Sequence, residues 1–212
     1  MKTQDKIVEK ALELFNTKGI EYVGMRELAA ELDIRVGNIT YYFPTKDDLV
    51  FRLSLDLAEL NSKTIVQKED LTISTFLEML KTVFENQTQY RCLLLSFVHL
   101  MEQNPFMAER YKLNEKTRFD TWKKNLAALE KNGCLILKSK SEIDFLVSGI
   151  ALISRFWISE ATVSYRHLSI EAQIQHYLEM IARIIMPYAS EKGMSEIHRF
   201  LVLGKERNQT SE

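Results

Sequence analysis

The chain has 212 residues, 46% of them hydrophobic and 27% charged, and a formal net charge of −1. That is enough apolar material for one large or two small packed domains, and the near-neutral charge weighs mildly against nucleic acid as a partner. Two cysteines, Cys92 and Cys134, make no disulfide framework, the polar start MKTQDKIVEK is no signal peptide, and no apolar run has the length of a membrane span, so a soluble cytoplasmic protein is expected.

The first predicted helix covers Thr3 to Thr17. Ile7, Ala11, Leu14 and Phe15 recur at three- and four-residue spacing, and Gly19 closes it as a C-cap. Ile20 and Val23 pack the link that follows. The stretch Gly24 to Val50, GMRELAAELDIRVGNITYYFPTKDDLV, then organises the chain. Its first half is a short amphipathic helix with Leu28, Ala29 and Leu32 on the apolar face. Asp33 and Ile34 make a tight turn, and a second short helix runs from Val36 to Tyr42. Two short helices joined by such a turn form a helix-turn-helix, whose second helix enters the major groove of DNA.

The residues of the second helix suit that task. Ile34, Ile39 and Phe43 look inward, while Arg35, Asn38, Thr40 and Tyr41 can reach base edges or phosphates. Gly37 allows close backbone approach. Pro44 stops the helix, and Thr45 with Asp48 forms a capping box for the next one. Lys46 lies in the first turn of that next helix, where a cation opposes the helix dipole; a phosphate contact explains it. A generic bundle corner accounts for the same local pattern about as well.

The remaining elements are helical. A helix from Lys46 to Thr64 carries the stripe Leu49, Val50, Leu53, Leu57, Leu60 and links the two parts of the chain as a lever. Another spans Leu71 or Thr72 to Gln87. Tyr90 to Gln103 reads as one helix, apolar almost all round in CLLLSFVHLM and therefore buried. Pro105 to Lys131 follows, closed by Asn132-Gly133, and Cys134 to Leu137 reads as a loop tucked against the bundle. A helix from Ser141 to Ser164 is capped by Ser141 with Asp144, and the next covers Ser169 to Tyr188. Met194 to Gly204 adds a short helix, and residues 206–212 are a disordered tail. Strand signals are nearly absent, so the fold class is all-α. The expected domains are 1–47, a three-helix DNA-binding unit, and 48–205, a helical bundle.

The first fifty residues resemble the TetR family of bacterial transcriptional repressors. The pattern matches without gaps from Ile7 through Leu49, at Ala11, Leu14, Phe15, Gly19, Leu28, Ala29, Gly37, Tyr42, Phe43, Lys46 and Leu49, and the run GNITYYFPTKDDL is specific. The resemblance makes Val36 to Tyr42 the recognition helix. It makes Tyr41, Tyr42 and Lys46 phosphate contacts, and it turns Arg35, Asn38 and Thr40 to the bases or their flanking backbone. It implies a homodimer packed through about residues 141–188, a palindromic double-stranded operator, and repression relieved by a small-molecule effector. Three positions depart from the family pattern. Gly24 replaces a Ser or Thr, Asp33 replaces the turn glycine, and Thr40 replaces the first of two paired aromatics. Asp can adopt the left-handed conformation that the turn needs.

The charge of the first fifty residues, seven Lys or Arg against nine Asp or Glu, predicts modest non-specific affinity, with Glu21, Glu27 and Glu31 directed away from the duplex. No catalytic, metal-site or cofactor motif occurs, and His99, His167, His176 and His198 are scattered, so no enzyme, cofactor or metal is expected. A ligand pocket in the second domain would draw on polar or aromatic groups within apolar helices: Ser96, His99, Glu102, Tyr111, Trp122, Arg155, Trp157 and Tyr177. Arg155 needs a partner, with Glu102, Glu160 or an acidic ligand as candidates. The alternatives are an activator of the same fold, a regulator without a small-molecule effector, and a helical protein-interaction module.

Overall fold

The computed structural model describes residues 2–209, the last of them, 203–209, as backbone alone. Eleven α-helices and one short 3-10 turn account for most of it: α1 (Thr3–Lys18), α2 (Met25–Glu31), α3 (Val36–Tyr42), α4 (Lys46–Thr64), α5 (Ile73–Gln89), α6 (Arg91–Leu95), α7 (Phe97–Gln103), α8 (Pro105–Lys131), α9 (Lys140–Ser164), α10 (Ile170–Ile185) and α11 (Glu191–Gln209). Among the described residues the only β pairing is one antiparallel bridge, Leu135 with Ala189. The fold is all-α, with an N-terminal helix-turn-helix and a C-terminal helical part.

The described residues form two compact units. One comprises Met1–Asn61 and Asn86–Lys112; the other comprises Ser62–Glu85 and the chain from Leu113. α6 and α7 therefore fall with α1–α3, although both lie beyond the expected boundary at residue 47.

In the first unit, α1 packs on α2, α3 and α6. Ile7, Ala11, Ile39, Leu49 and Leu53 are fully buried there, and Leu14, Phe15, Leu28 and Phe43 nearly so. Asn16 ties α1 to the start of α6: its amide donates to the Gln89 carbonyl at 2.7 Å, and its Oδ1 accepts from the Cys92 N–H at 3.0 Å. The single helix expected over Tyr90 to Gln103 is two helices, broken at Ser96. Its apolar run is not buried all round either, because Leu95 and Val98 are exposed.

In the second unit, α9 packs on α10 and α10 on α11. α9 starts one residue earlier than expected and is capped by Ser139 with Glu142, not by Ser141 with Asp144. Asp144 pairs instead with Lys123 at 2.7 Å. α10 is capped by the Ser169 hydroxyl, which accepts from the Ala172 N–H. Cys134 and Leu135 are buried in a loop, as expected. α11 begins earlier and runs further than the short helix read from the sequence. The stretch 206–212 is helical as far as Gln209, and its remainder lies outside the described residues. One helix, α9, is by length and mean hydropathy apolar enough to cross a membrane, against the expectation that no run is. Of that window, 39% is buried inside the protein, and α9 is the helix on which α10 packs.

Candidate nucleic-acid interface

The helix-turn-helix is built by local rules. α1 ends at Gly19, whose φ of 93° is open to glycine and strained for other residues. Asp33 takes the left-handed turn position at φ 52°, the conformation the missing glycine would have supplied. α3 ends at Tyr42. Phe43 is extended at φ −133° and ψ 92°, as the residue before a proline must be. The Thr45–Asp48 box is reciprocal: the Asp48 N–H donates to the Thr45 hydroxyl at 3.2 Å, and the Asp48 carboxylate accepts from the Thr45 N–H at 2.9 Å and from its hydroxyl at 2.7 Å.

Ile39 is fully buried and clamps α3 against the unit; Ile34 is half-buried. The opposite side is open. Arg35, Asn38, Tyr41 and Tyr42 are exposed, with Tyr41 at 81% and its ring edge-on to Tyr42 at 5.0 Å. Thr40 is half-buried and its hydroxyl donates to the Gly37 carbonyl at 3.4 Å, a weak bond that leaves it available to a base. A Cβ added at Gly37 would meet nothing within 4 Å, so nothing inside the protein demands a glycine there. Lys46 reaches back over the link and donates to the Ile20 carbonyl at 2.8 Å.

Several acidic side chains near this face are engaged within the protein, while Asp33 and Asp47 stand exposed. Glu27 pairs with Lys18 at 2.7 Å, and Glu31 lies 4.0 Å from the same ammonium. The Lys18 partnership pulls the Glu27 carboxyl below, and Glu27 pushes the Lys18 ammonium above, their usual ranges. Burial pushes Glu21 upward, but the hydrogen bond it accepts from the Ser96 hydroxyl, with nearby His99 and Lys46, more than offsets this and holds it low. Ser96 thus serves a carboxylate of the α1–α2 link. That pairing, 75 positions apart in sequence, has no local signal.

The eight residues expected around a ligand are distributed as follows. In the first unit Ser96 is buried on Glu21, His99 and Glu102 are exposed, and Tyr111 packs against Phe97 with centroids 4.9 Å apart. In the second unit Trp157 is buried between Phe84, stacked at 4.9 Å, and Tyr177 at 5.7 Å; Tyr165 and His176 extend the cluster. Trp122 is buried, and neither its Nε1 nor the Tyr177 hydroxyl has a hydrogen-bond partner. Arg155 pairs with Glu115 of α8, not with Glu102 or Glu160. Sequence reading singled out Trp157 and Tyr177 but missed Tyr165, because only the packing of α9 and α10 brings that ring to Tyr177. Among the described residues no group of three or more His, Cys, Asp or Glu side chains could hold a metal ion.

A family model described as "Bacterial regulatory proteins, tetR family" matches residues 7–53, and a second, "Bacterial transcriptional repressor", matches residues 58–197. A probable HTH-type transcriptional regulator of Bacillus subtilis (strain 168), YttP, is 39% identical over 85 residues; the match spans 39% of this chain and 41% of that protein. The fold is similar to that of a TetR-family regulator from Marinobacter aquaeolei VT8, with TM-score 0.86, 22% identity, and 97% and 98% of the two chains covered. GusR of Salmonella enterica shares it with TM-score 0.64 at 14% identity, over 86% and 95% of the chains. SmeT, solved with triclosan, shares it with TM-score 0.63 at 12% identity, over 89% and 92%. The chain belongs to the TetR family: it is a DNA-binding transcriptional regulator and not an enzyme.

Proposed function

We propose that the protein is a homodimeric repressor released from a palindromic operator by a small apolar or amphipathic effector. Residues 1–47 form the reading head and 48–205 the effector-binding and dimerisation part. The observation that carries the proposal is the open face of α3 over a fully buried Ile39. Tyr41, Tyr42 and Lys46 take the phosphates and fix the register, while Arg35, Asn38 and Thr40 read the bases.

Dimerisation is supported by what α9 leaves outside. Phe145 and Leu152 are more than half exposed, and Val163 is 84% exposed; Met180 of α10, in the same unit, is exposed too. These positions fall within residues 141–188, and a two-fold partner would cover them. Two copies place two recognition helices in successive major grooves, half-sites about 34–36 Å apart.

The effector reading is supported by the buried aromatic set Trp157, Tyr177 and Trp122, with Arg155 held by its Glu115 partner. SmeT, a protein of this fold, has been solved in complex with triclosan. An effector that favours one dimer geometry changes DNA affinity by the coupling energy, about 1–3 kcal/mol.

The test is selection of bound duplexes from a random pool, repeated with candidate effectors, alongside sedimentation of the free protein. Enrichment of a palindrome by a dimer is expected. A monomer in solution at all concentrations, or enrichment of no sequence, overturns the proposal.

A further inference from the structure

Among the described residues through residue 64 the exposed large apolar side chains are three tyrosines, Tyr22, Tyr41 and Tyr42. Two belong to the recognition helix. The third, Tyr22, lies on the α1–α2 link and is the most exposed of the three at 83%. Outside the core, a tyrosine presents its hydroxyl to whatever meets the surface there.

Its placement is held by the backbone. The Tyr22 N–H donates to the Gly19 carbonyl at 3.4 Å, closing a turn that folds the ring over Gly19. A Cβ at Gly19 would stand 3.1 Å from Tyr22 Cδ2, so the glycine leaves room for the ring as well as taking the positive φ. Two residues before Tyr22, the Ile20 carbonyl accepts from Lys46 Nζ at 2.8 Å, which sets the link against the start of α4. Two residues after it, Gly24 caps α2 with no side-chain hydrogen bond and with open space where a Cβ would be. The family's usual hydroxyl at that position is missing here. Of the carboxylates on either side, Glu27 is paired with the Lys18 ammonium, while Glu21 keeps its charge and has the Lys46 ammonium nearby.

We propose that Tyr22 is a DNA-backbone contact, its hydroxyl donating to a phosphate beside Lys46 in place of the hydroxyl that Gly24 lacks. The inference rests on the reading of Tyr42 and Lys46 as phosphate contacts. In a helix-turn-helix the first helix crosses the backbone, which brings the residues that lead into it to the phosphates. A tyrosine hydroxyl gives a charge-assisted bond to a phosphate oxygen without adding a cation.

The test compares Tyr22→Phe and Lys46→Ala with the wild type on two fluorescein-labelled duplexes. One carries the sequence that the full-length protein enriches from a random pool, and the other is unselected. Each is titrated from about 50 to 200 mM salt. Tyr22→Phe keeps the ring on Gly19, and its melting temperature is expected to match the wild type. It is expected to weaken both duplexes by the same factor, about tenfold, with the salt slope unchanged. Lys46→Ala is expected to reduce the slope by about two, one for each copy in the dimer. Wild-type affinity in Tyr22→Phe, or a loss on the enriched duplex alone, overturns the assignment of Tyr22. If Lys46→Ala also leaves affinity and slope unchanged, the phosphate reading of this face fails with it; if Lys46→Ala behaves as stated, only Tyr22 is lost.

Discussion

Gly193→Ala should destabilise the protein, against the helix scale. Gly193 is in the first turn of α11, and alanine is favoured over glycine in a helix interior by about 1 kcal/mol. But a Cβ there would stand 2.0 Å from the Cys134 carbonyl oxygen and 3.0 Å from Ile73 Cδ1. The first obstacle is backbone and cannot rotate away. Restoring an ordinary 3.4 Å contact takes a displacement of about 1.4 Å between α11 and the 133–135 loop. That displacement opens the bonds joining them: the Ser190 N–H to the Cys134 carbonyl at 3.0 Å, and the Ser190 hydroxyl to the Gly133 carbonyl at 2.6 Å. Two or three such bonds at about 1 kcal/mol each, plus strained packing around Ile73, outweigh the propensity gain and leave a net loss of about 2 kcal/mol. The melting temperature would fall by roughly 4–8 °C for a chain of this size. Urea unfolding by circular dichroism measures it. Gly149→Ala is the control: its Cβ would meet Ile184 at an ordinary 3.8 Å, and stability should hold or rise by up to about 1 kcal/mol. A Gly193→Ala variant as stable as the wild type would refute the packing argument and leave propensity in charge.

Three other outcomes are expected. Gly37→Ala meets nothing within 4 Å and should fold at least as stably, yet bind duplex DNA about tenfold or more weakly, because the space belongs to the groove; unchanged binding in a fluorescence titration counts against close approach. The Cys92 thiol, pushed up to about 12 by burial, should resist iodoacetamide at neutral pH until denaturant is added; rapid labelling of the native protein at Cys92 would contradict its burial. Glu21 is held below its usual range, so its contribution to stability is present above the ordinary glutamate pKa and fades as pH falls through the lowered value. The urea midpoint of the wild type should therefore exceed that of Glu21→Gln near pH 7 and converge with it at pH below the ordinary glutamate range; a gap that stays constant with pH would refute this.

What could be read from the sequence was what local rules determine. α3 has the expected ends, because a proline and a following capping box punctuate it. Asp33 takes the left-handed turn as expected, since Asp tolerates that conformation. Local rules failed where two local answers competed or where a distant residue decided. SKSEID contains two overlapping capping boxes, and the first forms while Asp144 is taken by Lys123 of α8. The run from Tyr90 to Gln103 has no helix breaker in its apolar centre, yet the helix stops at Ser96, whose hydroxyl serves Glu21. Arg155 had several acids within reach of its own or a neighbouring helix, and only the packing of α8 selects Glu115.

The same distinction explains how a module with more acids than bases can face a polyanion. Net charge counts every carboxylate equally, whereas a phosphate meets only those left on one face. Glu13 is taken by Lys10, Glu27 and Glu31 by Lys18, Asp48 by the cap of α4, and Glu21 by Ser96. Each of those carboxylates is bonded within the protein, while Asp5, Glu9, Asp33 and Asp47 stay exposed. The exposed Arg35 and the hydroxyls of Tyr41 and Tyr42 keep the outer face of α3. Affinity in this arrangement comes from a few placed contacts rather than from a broad positive field. Its salt dependence should therefore be shallow, and each lost contact should weigh heavily. A steep slope, corresponding to many more neutralised phosphates than Arg35, Lys46 and their two-fold copies provide, would mean that cations outside this face do the binding.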